Sequence, residues 1–193
     1  MPKSVANSLN ASAPIRSLDW AKQAALVVGA SLFVAICAHV TIPLPSPVPL
    51  TLQNFGVLVV GLTLGSRRGF AALALYLAEG AAGLPVFNPT GLGGIPQLLG
   101  PTGGYLMVYP LVAGLAGLVF EQGKPTFGKA TIAGLLAEIV LFSGGIAWLL
   151  ILTHSLAQAL RWGLYWFVFA EVIKIMFAAA MAVRIRRSFR TQA

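Results

Sequence analysis

Charged side chains are scarce in this chain. Only 9% of its 193 residues are Asp, Glu, Lys or Arg, against roughly 25% in soluble domains. With 58% hydrophobic residues and a mean hydropathy of +0.84, that shortage excludes an ordinary soluble enzyme. It places the chain among polytopic membrane proteins. Cysteine is nearly absent as well. The single Cys37 allows no internal disulfide and sits inside an apolar run as a small hydrophobe. Ile36 before it is not the small residue a lipoprotein site needs. The two histidines, His39 and His154, lie far apart without cysteine or carboxylate neighbours, so no metal site is expected. No G-x-x-x-x-G-K-[ST] phosphate loop is present either, and the loops are too short to hold an ATPase. No cofactor is expected.

What the chain does have is long apolar runs, over about residues 23–42, 50–66, 69–84, 105–120, 130–153 and 165–183. They predict an all-α membrane protein with six transmembrane helices, built as one domain over residues 21–187. Residues 1–20 read as a disordered cytoplasmic tail and 188–193 as a short basic one. The net charge of +8 could suggest nucleic acid, but its placement points to topology. Lys3, Arg16, Lys22, Arg67, Arg68, Lys124, Lys129, Arg184, Arg186, Arg187 and Arg190, eleven of the thirteen basic residues, fall on one side of a six-span chain. The positive-inside rule then puts both termini in the cytoplasm of a multi-pass cell (inner) membrane protein. The loops at 42–50, 84–104 and 154–164 face outward. The first run is longer than a signal peptide's apolar core and lacks a small-x-small cleavage site, so it reads as a retained helix.

Punctuation between the runs is strong. Pro43, Pro45, Pro47 and Pro49 exclude a helix and predict an extended outer loop, ending where Thr51 can cap the second helix. Gln53 and Asn54 are the polar residues of that helix start. Gly65 to Gly69 and Gly123 to Gly128 read as tight inner turns. The aromatics Trp20, Trp148, Trp162, Tyr165 and Trp166 fall near span ends, where belt anchoring is their ordinary role.

Ionisable residues inside the apolar runs are costly unless paired or hydrated. Glu171 and Lys174 stand at i and i+3 in the last run, so they share a helix face, about two turns below its outer end. The plain reading is an ion pair bridging two turns. The functional one is a recognition pair on the floor of an outward pocket, its carboxylate accepting N–H groups and its ammonium donating. Glu79 and Glu138 read as helix-packing acids. Ala21, Ala25 and Gly29 recur every four residues and form a small-residue stripe on the first helix. Such a stripe packs either against the chain's own helices or against a partner helix.

The segment Gly83-Leu84-Pro85-Val86-Phe87-Asn88, followed by Gly100-Pro101-Thr102-Gly103-Gly104-Tyr105, is the most distinctive text in the chain. Irregular backbone of this kind belongs outside a bilayer or around a cavity within it. Together with Ile42-Pro43-Leu44-Pro45, Pro47-Val48-Pro49-Leu50-Thr51-Leu52-Gln53, Arg67-Arg68-Gly69 and the final Glu171-x-x-Lys174, it resembles the BioY family. These are biotin-binding S components of energy-coupling-factor transporters. The resemblance covers about residues 23–185. Where the family's last motif usually reads Asp-x-x-Lys, this chain has glutamate.

The resemblance implies a six-helix protein that captures biotin from outside and is not an enzyme. It implies that Glu171 accepts from the ureido N–H groups, that Lys174 donates to the ureido oxygen, and that Asn88 and Gln53 add polar contacts. Phe87 and Tyr105 would sandwich the bicyclic ring, while Gly93, Gly94, Gly103 and Gly104 bring backbone N–H groups close. Energy would come from a transmembrane coupling protein, met by the Ala21/Ala25/Gly29 stripe, and from cytoplasmic ABC-type ATPases. The competing readings are a stand-alone or proton-coupled secondary biotin transporter and, more remotely, an intramembrane enzyme using Glu171 and Lys174 as acid and base.

Overall fold

The computed structural model describes residues 13–191, with side chains over 19–188. Eight α-helices account for most of it: α1 (Ala13–His39), α2 (Gln53–Leu64), α3 (Ser66–Ala81), α4 (Gly94–Leu99), α5 (Gly103–Glu121), α6 (Phe127–Thr153), α7 (Leu156–Leu160) and α8 (Val168–Thr191). A π-helical turn, Arg161–Tyr165, lies between α7 and α8. Of the expected tails at 1–20 and 188–193, residues 1–12 and 192–193 lie outside the described residues, while 13–20 belong to α1 and 188–191 to α8.

Three segments, Asp19–His39, Gly103–Glu121 and Phe127–Thr153, are long and apolar enough to cross a membrane. A fourth is obtained if Leu156–Tyr165 and Val168–Ser188, bent by 42°, count as one span. The helices α2 and α3 have 12 and 16 residues, about 18 and 24 Å at 1.5 Å per residue, short of a ~30 Å hydrocarbon core. The outer surface is apolar in the way lipid requires, with Ile36, Leu111, Leu118, Ile132, Ile139, Ile151 and Phe177 all exposed.

The proline segment is extended, as expected, and its two halves pair with each other. It is a hairpin, β1 (Thr41–Leu44) and β2 (Ser46–Thr51), paired antiparallel with Ile42 opposite Leu50 and an irregular register between Ile42 and Leu44. Prolines are tolerated because each strand has one partner only, leaving a free edge where no N–H is needed. Thr51 Oγ1 accepts the Gln53 N–H at 3.2 Å, although Leu52 occupies the cap position of α2.

Small residues set the helix spacing, as they do where lipid offers no hydrophobic drive for association. A Cβ on Gly61 would lie 2.5 Å from the Ala113 carbonyl oxygen, so α2 and α5 touch backbone to backbone. One on Gly145 would lie 2.1 Å from the Tyr105 ring, which fills the space between α5 and α6. At the Gly65 turn the Glu121 carboxylate accepts from the Ser66 N–H at 2.7 Å and from its hydroxyl at 3.2 Å. It thereby closes the open end of α3, where an acid also suits the helix dipole. Arg186 lies 4.9 Å over the Phe120 ring, so the ends of α5 and α8 meet at the same pole of the molecule as that turn. The hairpin, the 82–102 loop and the α7–α8 junction gather at the other pole, where Ser46 donates to the Trp162 carbonyl at 3.0 Å.

Candidate functional site

A cavity opens at the hairpin pole between α2, α5, α6 and α8. Val48, Pro49, Asn54, Asn88, Tyr105, Tyr109, Phe167, Glu171 and Lys174 are among its lining residues. Its water-accessible space is about 50 Å³, so lining side chains must part to admit an organic ligand. Its floor is polar. Lys174 Nζ donates to Glu171 Oε1 at 2.6 Å, and both residues are buried. Asn54 Nδ2 donates to Glu171 Oε2 at 2.6 Å and to Glu138 Oε1 at 2.5 Å. An ammonium has three N–H groups and a carboxylate about four acceptor positions. Both members of the pair therefore keep capacity for a ligand.

The break before α8 explains how this pair reaches the cavity. The π turn and the bend end one helix and start another, and α8 begins at Val168, so Glu171 lies in its first turn. The expectation of two turns of helix above Glu171 gives way to a π turn and a bend, of which Gly163 and Phe167 are the buried members. A carboxylate in a first turn is favoured by the helix dipole. The Glu171 N–H is bonded to the Phe167 carbonyl at 2.9 Å, which sets that turn directly beside the lining Phe167.

The other expected site residues divide. Asn88 lines the cavity, its Oδ1 accepting from Thr90 Oγ1 at 2.7 Å and its carbonyl from Gln97 Nε2 at 3.4 Å. Tyr105 also lines it, anchored by its hydroxyl to the Gly163 carbonyl at 2.8 Å. Gln53 lines it too, with Nε2 donating to the Tyr76 hydroxyl at 2.8 Å, which in turn donates to the Val86 carbonyl at 2.8 Å. Phe87 does not line it. Its ring packs edge-on against Tyr76 with centroids 5.4 Å apart and fills the space over Gly80, so the aromatic sandwich of Phe87 and Tyr105 is not what the fold builds.

The glycines differ from expectation in the same way. Gly93 donates its N–H to Gln97 Oε1 at 3.0 Å, and Gly94 opens α4 with φ of 61°. Gly103 and Gly104 pack against Leu98 and Trp148, and the Gly103 N–H bonds Gly100. None of the four lines the cavity. They let α5, α6 and the loop approach one another, which is a packing role. Trp148, expected in an interfacial belt, is half-buried and donates to the Gly100 carbonyl at 2.9 Å.

Asn54 is the site residue sequence reasoning missed, because its partners Glu138 and Glu171 lie 84 and 117 residues away. Glu79, by contrast, is far from the chemistry and accepts from the buried Ser31 hydroxyl, tying α3 to α1. His39 is tied to backbone, its Nδ1 bonded to the Ala35 carbonyl at 2.8 Å. His154 ends α6 with φ of 52°.

Comparison with known families decides what this arrangement belongs to. The BioY family model matches residues 6–191. The chain belongs to the BioY family. A relative from Thermotoga maritima named biotin transporter BioY is 36% identical over 164 residues, covering 83% of this chain and 95% of that protein. A probable biotin transporter BioY from Pyrococcus horikoshii is 35% identical over 169 residues, covering 86% and 97%. Among solved structures, the S-component for biotin from an ECF-type ABC transporter superposes with a TM-score of 0.79 at 28% identity. That match covers 88% of this BioY chain and 93% of the other. The chain is thus a multi-pass, helical membrane protein of a transporter family, with the S-component fold.

Proposed function

We infer that this chain takes up biotin as the substrate-binding S component of an ATP-driven energy-coupling-factor transporter. The observation that carries the reading is the buried Glu171–Lys174 pair on the floor of a cavity whose other lining side chains are uncharged, apolar ones such as Val48, Leu106, Leu141 and Phe167 beside the neutral polar Gln53, Asn54 and Asn88. Two charges at such a place cost several kcal/mol each in desolvation and are retained where a ligand uses them. Biotin's head offers two N–H donors and one C=O acceptor. Glu171 accepts, Lys174 donates, and Asn88 and Gln53 at the rim can do either. Tyr105 and Phe167 face the apolar thiophane ring. A site that pairs every polar atom of the head rejects analogues lacking one, because its own groups are then left unpaired.

The six-span, termini-inside topology belongs to the same reading, with α2 and α3 as short spans inside the bundle. It puts the hairpin pole and the cavity mouth on the outer side of the cell (inner) membrane, and Arg67, Arg68, Lys124 and Lys129 on the cytoplasmic side. The partners are a transmembrane coupling protein and cytoplasmic ABC-type ATPases. Ala21, Ala25 and Gly29 are exposed on α1, and a Cβ on Gly29 would meet nothing within 4 Å. Of the two readings of that stripe, outward docking is therefore favoured over internal packing. The test is calorimetry of the detergent-purified chain. One biotin should bind per chain, with quenching or enhancement of tryptophan fluorescence. A folded, monodisperse protein that shows neither overturns the reading.

A further inference from the structure

Asn54 carries one polar atom with nothing to bond. Both hydrogens of its Nδ2 are spent on carboxylates, one on Glu138 and one on Glu171. Its Oδ1 is buried and without a partner, on a side chain only 4% exposed that lines the cavity. The direction of the amide is dictated by its neighbours. Turning it over would aim Oδ1 at two carboxylate oxygens and leave both of those without a donor. Glu138 and Glu171 thus hold the acceptor end of Asn54 free, and a sealed acceptor left unbonded is costly unless something arrives to donate to it.

Glu138 itself does not line the cavity. It projects from α6, one turn before the lining residue Leu141, and its contact with the floor is Asn54. Both oxygens of Glu171 already accept a bond, one from Lys174 and one from Asn54. Two buried side-chain acceptors are without a partner among the described residues, Asn54 Oδ1 and Glu138 Oε2. Of these two residues Asn54 is the one that lines the cavity, beside one charged acceptor and one charged donor. Two acceptors of different kind and one donor complement a cyclic urea whose two N–H groups are read separately.

We propose that Asn54 is a ligand-contacting residue that accepts one ureido N–H through Oδ1, and that Glu138 is the positioning residue that fixes its amide. This rests on the biotin reading given above. The ligand set then spans three helices: α2 supplies a neutral acceptor, α8 the charged pair, and α6 the carboxylate that orients the first.

The test is calorimetric titration of the purified chain with biotin and with two carbamate analogues, each with a ring oxygen in place of one ureido N–H. Wild type should bind both analogues more weakly than biotin. Asn54→Leu should bind biotin about ten-fold more weakly, the equivalent of one hydrogen bond. It should also lose the penalty against one analogue while keeping it against the other. Glu138→Gln preserves size and polarity but lets the amide turn over, so it should reduce the same penalty. On the Asn54→Leu background it should change biotin affinity less than two-fold. Unchanged penalties in Asn54→Leu, or multiplying effects of the two substitutions, overturn the proposal. Should Asn54→Leu not fold, Glu138→Gln decides alone, since an unaltered analogue penalty there also overturns it. A wild-type chain that binds no biotin at all overturns the functional reading instead, and this inference falls with it.

Discussion

At the scale of single residues, Lys174, Glu171 and Asn54 on the cavity floor and Glu138 behind Asn54 are joined by three short hydrogen bonds. Removing one member of a buried charge pair costs about 2–5 kcal/mol, much of it from the charge left behind. Asn54 still donates to Glu171 after Lys174→Ala, so the loss of biotin affinity should fall in the lower half of that range. Calorimetry of the variant measures it, and wild-type affinity would remove Lys174 from the site. Asn88→Ala deletes a neutral side chain whose Oδ1 is already held by Thr90. Its cost should be about 1–3 kcal/mol in the same assay. What the sequence could reveal here follows chain distance. Glu171 and Lys174 are legible because i and i+3 on one helix must share a face. The bond from Asn54 to Glu138 joins residues 84 apart, and no local pattern encodes it. For Phe87, Gly103 and Gly104 the family resemblance implies ligand contacts. Tyr76, Gly80, Leu98 and Trp148 claim them by packing, which only the fold reveals.

Elements carry the site through close approach and through one break. The hydropathy pattern shows α1, α5 and α6 clearly, since each is a long apolar stretch bounded by turn residues. It places a loop at 154–164 but hides the π turn within it, and it starts the last run at Tyr165 where α8 begins at Val168, because Tyr165, Trp166 and Phe167 read as part of an apolar run. It also hides the hairpin, since Pro43 to Pro49 signal an extended segment but not the pairing of its two halves. Tyr105 depends on two of these elements at once: it packs on Gly145 of α6 and donates to Gly163 of the π turn. Gly145→Ala places a methyl 2.1 Å from the Tyr105 ring, and overpacking of this sort destabilises by about 1–3 kcal/mol. Thermal unfolding in detergent should show that loss, together with weaker biotin binding as Tyr105 is pushed from its place in the cavity wall. Gly29→Ala is the matched control, because a Cβ there meets nothing within 4 Å, and it should leave both measurements unchanged. Equal behaviour of the two variants would detach Tyr105 from the binding wall.

For the molecule as a whole, the proposed direction of uptake rests on two poles with different chemistry. The pole of the Gly65 turn joins the ends of α5 and α8 and carries Arg67, Arg68, Lys124 and Lys129. The other holds the hairpin, the glycine-proline loop and the cavity. The positive-inside rule orients them. On a Cys37→Ala background, a cysteine introduced at Thr90 should react with an impermeant thiol reagent in intact cells, and one at Gly123 should not. The reverse pattern would invert the molecule and close the cavity to external biotin. On the proposed reading, coupling reaches the α1 stripe from the membrane. Ala21 and Ala25 are exposed, as is Gly29 one turn further on. Small residues of this kind admit a second helix closely enough for van der Waals packing to hold it in lipid. A tryptophan at position 25 would fill that contact without entering the chain's own core. Ala25→Trp should therefore abolish energised uptake and co-purification with the coupling protein, while calorimetry of the isolated variant returns wild-type biotin affinity. Loss of binding together with uptake would make the stripe part of the internal packing. Retention of both would move the coupling surface elsewhere, with the groove of Ser66, Phe70, Leu111 and Gly114 between α3 and α5 as the next face to block.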